Sequence, residues 1–275
     1  MPKANIYQIF YNQQTKESLD KGFIPLNNLQ NSRPEWGEFW VIRKFLLSND
    51  LKEEEWYGFL SPKFHEKTGL DSTQVHQFLE SISADTEVIL FSPFWEFIAF
   101  FPNPFSQGEF WHPGLTAVAQ NFFNSIDEPK NIKNLIMHSR NTVYCNYFLA
   151  KPSFWRSWLS IGNHLFDFSE NTSHPLYQQL NTSTAHNSHN NYTFKIFIQE
   201  RLASYLLTNE KWKRANFPLA STKSLIPDIV LFKDELISCD ALKSQYSSTG
   251  HPVYLEEYLR LKNEISRRVN IKSPE

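Results

Sequence analysis

The chain has 275 residues, with 27 Lys and Arg against 29 Asp and Glu and a formal net charge of −2. That balance, with no basic run patterned like a nucleic-acid groove, argues against a nucleic-acid partner. Two cysteines in separate regions, Cys145 and Cys239, exclude a disulfide framework or a zinc spacing and suit a reduced, cytoplasmic setting.

The opening Met-Pro-Lys-Ala-Asn lacks the apolar segment of a signal peptide, and no run approaches the length needed to cross a bilayer. A first strand is expected over Ile6 to Tyr11, then a short helix from Thr15 to Lys21 closed by Gly22. Pro25 to Pro34 reads as an Asn-rich loop. From Glu35, the apolar positions Trp36, Phe39, Trp40, Ile42, Phe45 and Leu46 predict a helix that fades near Ser48. Trp56 to Leu60 is a second strand, and Asp71 caps a helix whose inward face is Val75, Phe78, Leu79 and Ile82. Glu87 to Phe91 is a short strand running into Ser92-Pro-Phe-Trp-Glu96. The stretch from Asn103 to Gly114 reads as a loop rich in polar and aromatic groups. A helix follows over Leu115 to Ile126, with a short strand expected at Leu135 to Met137.

Tyr144, Asn146 and Phe148 alternate with Cys145, Tyr147 and Leu149, which predicts a strand over 142–149 carrying Asn146 toward a cleft. Pro152 suits a helix's first turn, with Phe154, Trp155, Trp158 and Leu159 as its buried stripe. The Asn-rich stretch 181–191 reads as a polar loop. Ile198, Leu202, Tyr205 and Leu206 mark the buried face of a helix on which Glu200 and Arg201 sit near the cleft end. The tail from Tyr254 to Val269 is a charged amphipathic helix, expected to pack on the domain, with a partner or a membrane face as alternatives. Strands alternating with helices argue for an α/β sheet with crossover connections. Open sheets of this kind bind ligands beyond the carboxyl ends of their strands, so the turns after Tyr11, Leu60, Phe91 and Phe148 are expected to border one crevice. Aromatics make up 16% of the chain; Trp and Tyr faces suit sugar rings and bases, but the predominance of Phe assigns most of them to the core.

The order of these pieces resembles a group of bacterial GT-A-type glycosyltransferase domains of unknown function, found among genes for capsule and lipopolysaccharide assembly. The resemblance is carried by Tyr7-Gln-Ile-Phe-Tyr-Asn12, Gly22-Phe-Ile-Pro-Leu-Asn-Asn28, the stretch from Asn31 to Arg43, the stretch from Trp56 to Phe64, and Lys67-Thr-Gly-Leu70. It continues in the strand with Asn146 and Phe148, the Trp158-Leu159 pair and the later Phe197-Ile-Gln-Glu-Arg-Leu202. It implies a GT-A-like, Rossmann-related mixed sheet flanked by helices, with a catalytic domain over 1–220 and a C-terminal extension over 221–275 ending in the amphipathic helix. The implied activity is transfer of a sugar from a nucleotide-activated donor to a surface-polysaccharide or lipopolysaccharide acceptor, at the inner face of the cytoplasmic membrane. A non-catalytic nucleotide- or sugar-binding module of the assembly system is the alternative.

Such a transferase holds a diphosphate and deprotonates an acceptor hydroxyl. The Asp-X-Asp triplet that bridges diphosphate to Mn or Mg in many GT-A members is absent after Phe91. There Glu96 is the candidate hard-oxygen ligand, and Lys63, Arg33 or Arg43 are the alternative, supplying positive charge without a metal. Arg43 has Glu35 or Glu38 as a possible helix partner. Lys67 and Thr68 add an ammonium and a hydroxyl for phosphate oxygens. Gln8, Tyr11, Asn28, Asn146 and Arg201 complete the donor-binding residues the resemblance implies. Glu200 is the preferred general base, with Glu109 as its rival and His112 beside it, and Gln107 and Trp111 form the acceptor side. Where Ser106 stands, the resembled domains tend to carry an acid.

Overall fold

In a computed structural model describing residues 3–126, 130–185, 191–209, 211–218 and 229–269, the chain begins with β1 (Ala4–Phe10), α1 (Gln13–Glu17) and β2 (Ile24–Asn27). There follow α2 (Glu38–Ser48), β3 (Trp56–Leu60), α3 (Phe64–Thr68), α4 (Ser72–Glu80) and β4 (Val88–Leu90). Next come α5 (Trp95–Phe100), α6 (Pro104–Trp111), α7 (Leu115–Asn124), β5 (Phe148–Ala150) and α8 (Pro152–Glu170). The chain continues through α9 (Tyr177–Asn181), β6 (Ser183–Ala185), β7 (Asn191–Thr193), α10 (Phe194–Gln199), α11 (Leu202–Leu206) and β8 (Arg214–Asn216). The helices α12 (Lys233–Thr249) and α13 (Pro252–Arg268) close it.

Six strands form one mixed sheet in the order β2-β1-β3-β5-β4-β8. β1 pairs in parallel with β2 and β3, and β4 with β8, while β5 runs antiparallel to both of its neighbours, β3 and β4. This is a mixed α/β architecture with both sheet faces covered. Alternation along β3 sends Tyr57 and Phe59 into one core with α2, α7, α8, α10 and α11, and sends Trp56 and Leu60 into the other with α4, α5, α12 and α13. Gly58, between them, is a packing requirement. A Cβ there would stand 2.8 Å from Leu149 Cγ and 3.1 Å from the Phe148 carbonyl.

Several local signals act as their chemistry dictates. Asp71 accepts from the Gln74 N–H at 2.8 Å and the Gln74 side chain accepts from the Asp71 N–H at 3.1 Å, a reciprocal cap that starts α4. Pro152 opens α8, whose Phe154, Trp155 and Trp158 are buried. The tail helix packs on the body, as expected: Tyr258 and Ile265 are buried in the second core, and the Tyr258 hydroxyl donates to the Phe100 carbonyl at 2.8 Å. The buried Lys243 ammonium of α12 donates to the carbonyls of Ile98 and Phe101, which finishes α5. No described helix is long and apolar enough to cross a membrane.

Other expectations are corrected. The strand predicted over 142–149 is confined to Phe148–Ala150, because Cys145 and Asn146 adopt φ of 59° and 54°. The Asn103–Gly114 loop is largely α6, capped by Asn103, which accepts from the Ser106 N–H at 2.9 Å, with Pro104 in its first turn. The helix predicted from Thr15 starts at Gln13 and ends at Glu17, and the one predicted from Glu35 is a 3-10 turn, Pro34–Trp36, followed by α2. No strand forms at Leu135–Met137. The loop expected over Pro25–Pro34 contains most of β2, and the stretch 181–191 holds β6 and the first residue of β7, two strands that pair antiparallel, residues 186–190 falling outside the described set.

Candidate functional site

The carboxyl ends of β1, β3 and β4 meet the amino end of the reversed β5, so the turns after Phe10, Leu60 and Leu90 face residues 144–147. The turn after β5 lies at the opposite end of the sheet, which corrects the expectation that the chain beyond Phe148 borders the crevice. Three anchors hold the 144–147 segment. The Phe91 N–H donates to the Tyr147 carbonyl at 2.9 Å, the Tyr144 N–H donates to Ser92 Oγ at 2.8 Å, and the Tyr147 and Ser61 hydroxyls share a hydrogen bond. Between these anchors Cys145 and Asn146 are consecutive non-glycine residues in the left-handed region. That conformation is costly for Cys in particular and persists only where surrounding contacts enforce it.

The strained pair delivers a thiol and an amide to the site. Lys67 Nζ, on α3, stands 3.2 Å from Cys145 Sγ. Asn146 Nδ2 donates to Gln199 Oε1 at 3.2 Å, but its Oδ1, though buried, meets no partner among the described residues, and neither does the buried Tyr144 hydroxyl. Unsatisfied buried polar atoms are few in native folds, and two in one turn mark a place where an additional group would be accommodated.

Electrostatics joins two carboxylates to this amine. Burial, offset in part by Lys67 and reinforced by Glu200, raises the carboxyl of Glu38 to about 7. Burial opposes the charge on Lys67, but Cys145, Glu200 and Glu38 outweigh it and hold the ammonium above its ordinary range. Burial pushes the Cys145 thiol up to about 11 despite Lys67, so near neutral pH it is a thiol, not a nucleophilic thiolate. Glu38 is the first residue of α2, launched by Gly37 at φ 54°. Glu200 keeps 42% of its side-chain surface in solvent, so the cluster is open to water through it. A carboxyl held near 7 beside a fixed ammonium is suited to exchange a proton at neutral pH.

Of the residues predicted from the sequence, the structure brings together Lys67, Asn146 and Glu200, with the exposed Lys63 on the same turn that follows β3. The single helix expected to carry Glu200 and Arg201 is two, with Glu200 just after the end of α10 and Arg201 just before α11. Gln8 is buried and structural in its contacts, donating to the Ser61 carbonyl at 3.4 Å and accepting from the Asp20 N–H at 2.8 Å. Tyr11 is exposed just beyond β1, and Asn28 is buried just beyond β2. Arg33 pairs with Glu35 and with Glu170 at 2.7 Å, and Arg43 donates to Asn163 at 2.8 Å and lies over the Phe166 ring, so neither uses Glu38.

The supposed acceptor side is engaged in holding helices. Glu109 accepts from the N–H groups of Gly114 and Thr116 at 2.8 and 2.7 Å and so caps α7. Arg201 is buried, donating to the Pro104 and Phe197 carbonyls and to Gln107 Oε1, and stands 3.9 Å from Glu200. His112 is buried and stacks on Phe197, and Trp111 is half-buried among Phe97, Phe101 and Phe110. Glu96 is only 1% exposed within α5, which leaves no access for a hydrated ion bridging to a diphosphate. Among the described residues no three His, Cys, Asp or Glu side chains are grouped to hold a metal.

Sequence reasoning missed Glu38 and Cys145 as site members, having read one as a helix partner for Arg43 and the other as the strand position alternating with Asn146. Gly37 immediately before Glu38 was the available signal, since it permits the positive φ that aims the first turn of α2. Comparison of the chain with family models, curated proteins and solved structures gives no match.

Proposed function

We propose that the chain is a glycosyltransferase that moves a sugar from a nucleotide-activated donor to a surface-polysaccharide or lipopolysaccharide acceptor, working at the carboxyl ends of β1, β3 and β4. The observation that carries the reading is the convergence there of Glu38, Lys67 and Glu200 on a turn with unsatisfied polar atoms. Lys67 and Lys63 supply positive charge for the donor diphosphate, and Asn146 Oδ1 accepts a hydrogen bond from the nucleotide or sugar. Glu38, poised near neutrality, takes the proton of the acceptor hydroxyl, with Glu200 as the solvent-facing alternative. The mixed sheet with its single reversed strand is compatible with a GT-A-like fold. Glu96 does not suit a metal, so no step is routed through Mn or Mg.

The engagement of Glu109, His112 and Arg201 in packing favours the second reading, a nucleotide- or sugar-binding module without turnover. One experiment tests both. Thermal unfolding is followed with uridine, cytidine and guanosine diphosphates, with and without Mn, because a ligand selective for the folded state raises the midpoint by mass action. A rise with one nucleotide, together with slow release of nucleoside diphosphate from the matching sugar donor that Glu38→Gln abolishes, supports the transferase. Binding without turnover supports the module. Absence of any rise at millimolar nucleotide refutes the transferase and the nucleotide-binding form of the module.

A further inference from the structure

A third strained residue stands beside Lys67. Among the described residues only Phe94, Cys145 and Asn146 are non-glycine residues with positive φ, and Phe94, at 58°, lies in the turn between β4 and α5. Two turns far apart in the chain thus bring their strain to one amine: Lys67 Nζ stands 3.2 Å from Cys145 Sγ and lies over the Phe94 ring at 5.9 Å. Residues held in sparsely populated backbone regions cluster at ligand sites, where the surrounding fold enforces them.

Phe94 is open where its neighbours are not. Every other residue from Phe91 to Phe101 is buried, whereas Phe94 keeps part of its surface in solvent. Its ring is braced by Phe97, with centroids 6.2 Å apart, and by the edge-on ring of Tyr144 at 6.4 Å. A braced aromatic ring next to an ammonium suits a ligand that joins a ring to a phosphate.

The polar groups left unpaired decide which kind of ring. Asn146 Nδ2 is committed to Gln199 Oε1, so the amide offers only its acceptor Oδ1, and Tyr144 offers a hydroxyl. A nucleobase edge presents donors and acceptors at fixed positions, and an amide reads it by using both of its groups. Sugar hydroxyls, each a donor and an acceptor at once, are matched by a lone acceptor and a hydroxyl. Asn146 and Tyr144 are 4% and 9% exposed, so bulk water does not serve these atoms.

We propose that the Lys67 site receives a sugar with its attached phosphate, the sugar ring lying on Phe94, its hydroxyls meeting Tyr144 and Asn146 Oδ1, and the phosphate meeting Lys67. This rests on the sugar-transfer reading and adds which half of the donor lies here. A hexose 1-phosphate is then a ligand in its own right, without the nucleotide.

The test is calorimetric titration of the full chain with glucose, galactose, mannose and N-acetylglucosamine 1-phosphates, beside uridine monophosphate and sodium phosphate. The expected result is saturable binding of at least one hexose 1-phosphate, about tenfold or more tighter than inorganic phosphate. Phe94→Gly, which accepts a positive φ, should weaken that binding about tenfold, and Phe94→Tyr should retain most of it. Tyr144→Phe should weaken it several-fold with a melting midpoint unchanged or raised, because the hydroxyl it removes has no partner among the described residues. Absence of saturable binding by any of these hexose 1-phosphates, or binding that both Phe94→Gly and Tyr144→Phe leave unchanged, overturns the proposal. Tighter, Phe94-dependent binding of uridine monophosphate overturns it while leaving the transferase reading in place. Hexose 1-phosphate binding as expected, with no response to any nucleoside diphosphate, supports the sugar site and refutes the nucleotide-activated donor.

Discussion

Replacing Glu38 by Gln removes a carboxyl whose ionisation the fold opposes, and the effect has a definite sign. The carboxyl is held at about 7 instead of its ordinary 4.5, a difference worth about 3 kcal/mol between its protonation states at about 1.4 kcal/mol per pH unit. A group raised in this way contributes its full stability below the ordinary value and loses it as pH rises through 7. Wild type is therefore penalised at pH 8 relative to pH 4.5, whereas Glu38→Gln, carrying no titrating group there, is not. Part of Glu38 touches water, so solvent screening trims the expected relative gain of the variant to about 2 kcal/mol. Chemical denaturation of both proteins at half-unit steps from pH 4.5 to 8 measures it. Parallel stability profiles would refute the placement of Glu38 in a desolvated cluster, and with it the choice of Glu38 as base.

Lys67→Met removes the charge that favours the Cys145 thiolate, so alkylation of Cys145 at pH 9, followed by peptide mass mapping, should slow by several-fold; unchanged labelling would disconnect the two side chains. Arg201→Met leaves the Pro104 and Phe197 carbonyls without their donor and should cost about 3 kcal/mol in a denaturant melt, whereas retained stability with lost nucleotide binding would make Arg201 a phosphate ligand instead. Glu109→Gln should cost about 1 kcal/mol at pH 7 through its cap on α7. Burial works against the Glu109 charge, but the Gly114 and Thr116 N–H groups hold its carboxyl below the ordinary range; its contribution is therefore present above pH 4.5, and the gap between variant and wild type should close as pH falls further. Gly58→Ala forces a Cβ against Leu149 and the Phe148 carbonyl and should lower stability by about 1–3 kcal/mol, read from the midpoint of the same melt.

What could be read from the sequence was local. Asp71 and Gln74 cap α4, and Pro152 with Phe154, Trp155 and Trp158 starts and buries α8, because a cap or a stripe is complete within one or two turns of chain. Three-residue strands such as β8 are shorter than the alternation needed to recognise them. The 142–149 stretch misled for a different reason: Tyr144, Asn146 and Phe148 do alternate, but periodicity says nothing of a backbone that turns left-handed at Cys145 and Asn146. The site depends on one feature that no local pattern contains, the direction of β5. Running antiparallel to β3 and β4, it starts at their carboxyl ends, and only for that reason do Cys145 and Asn146 reach Lys67 and Gln199. A parallel β5 would carry the same residues to the far edge of the sheet and leave Lys67 and Glu38 without the turn that completes the cluster. Lengthening that turn between Asn146 and Phe148 by two glycines should therefore relax the Lys67–Cys145 contact while leaving the sheet paired, observable as slower Cys145 alkylation at pH 9 with an unchanged far-ultraviolet circular dichroism spectrum. Loss of the sheet signal instead would mean that the strained turn is a requirement of the fold itself.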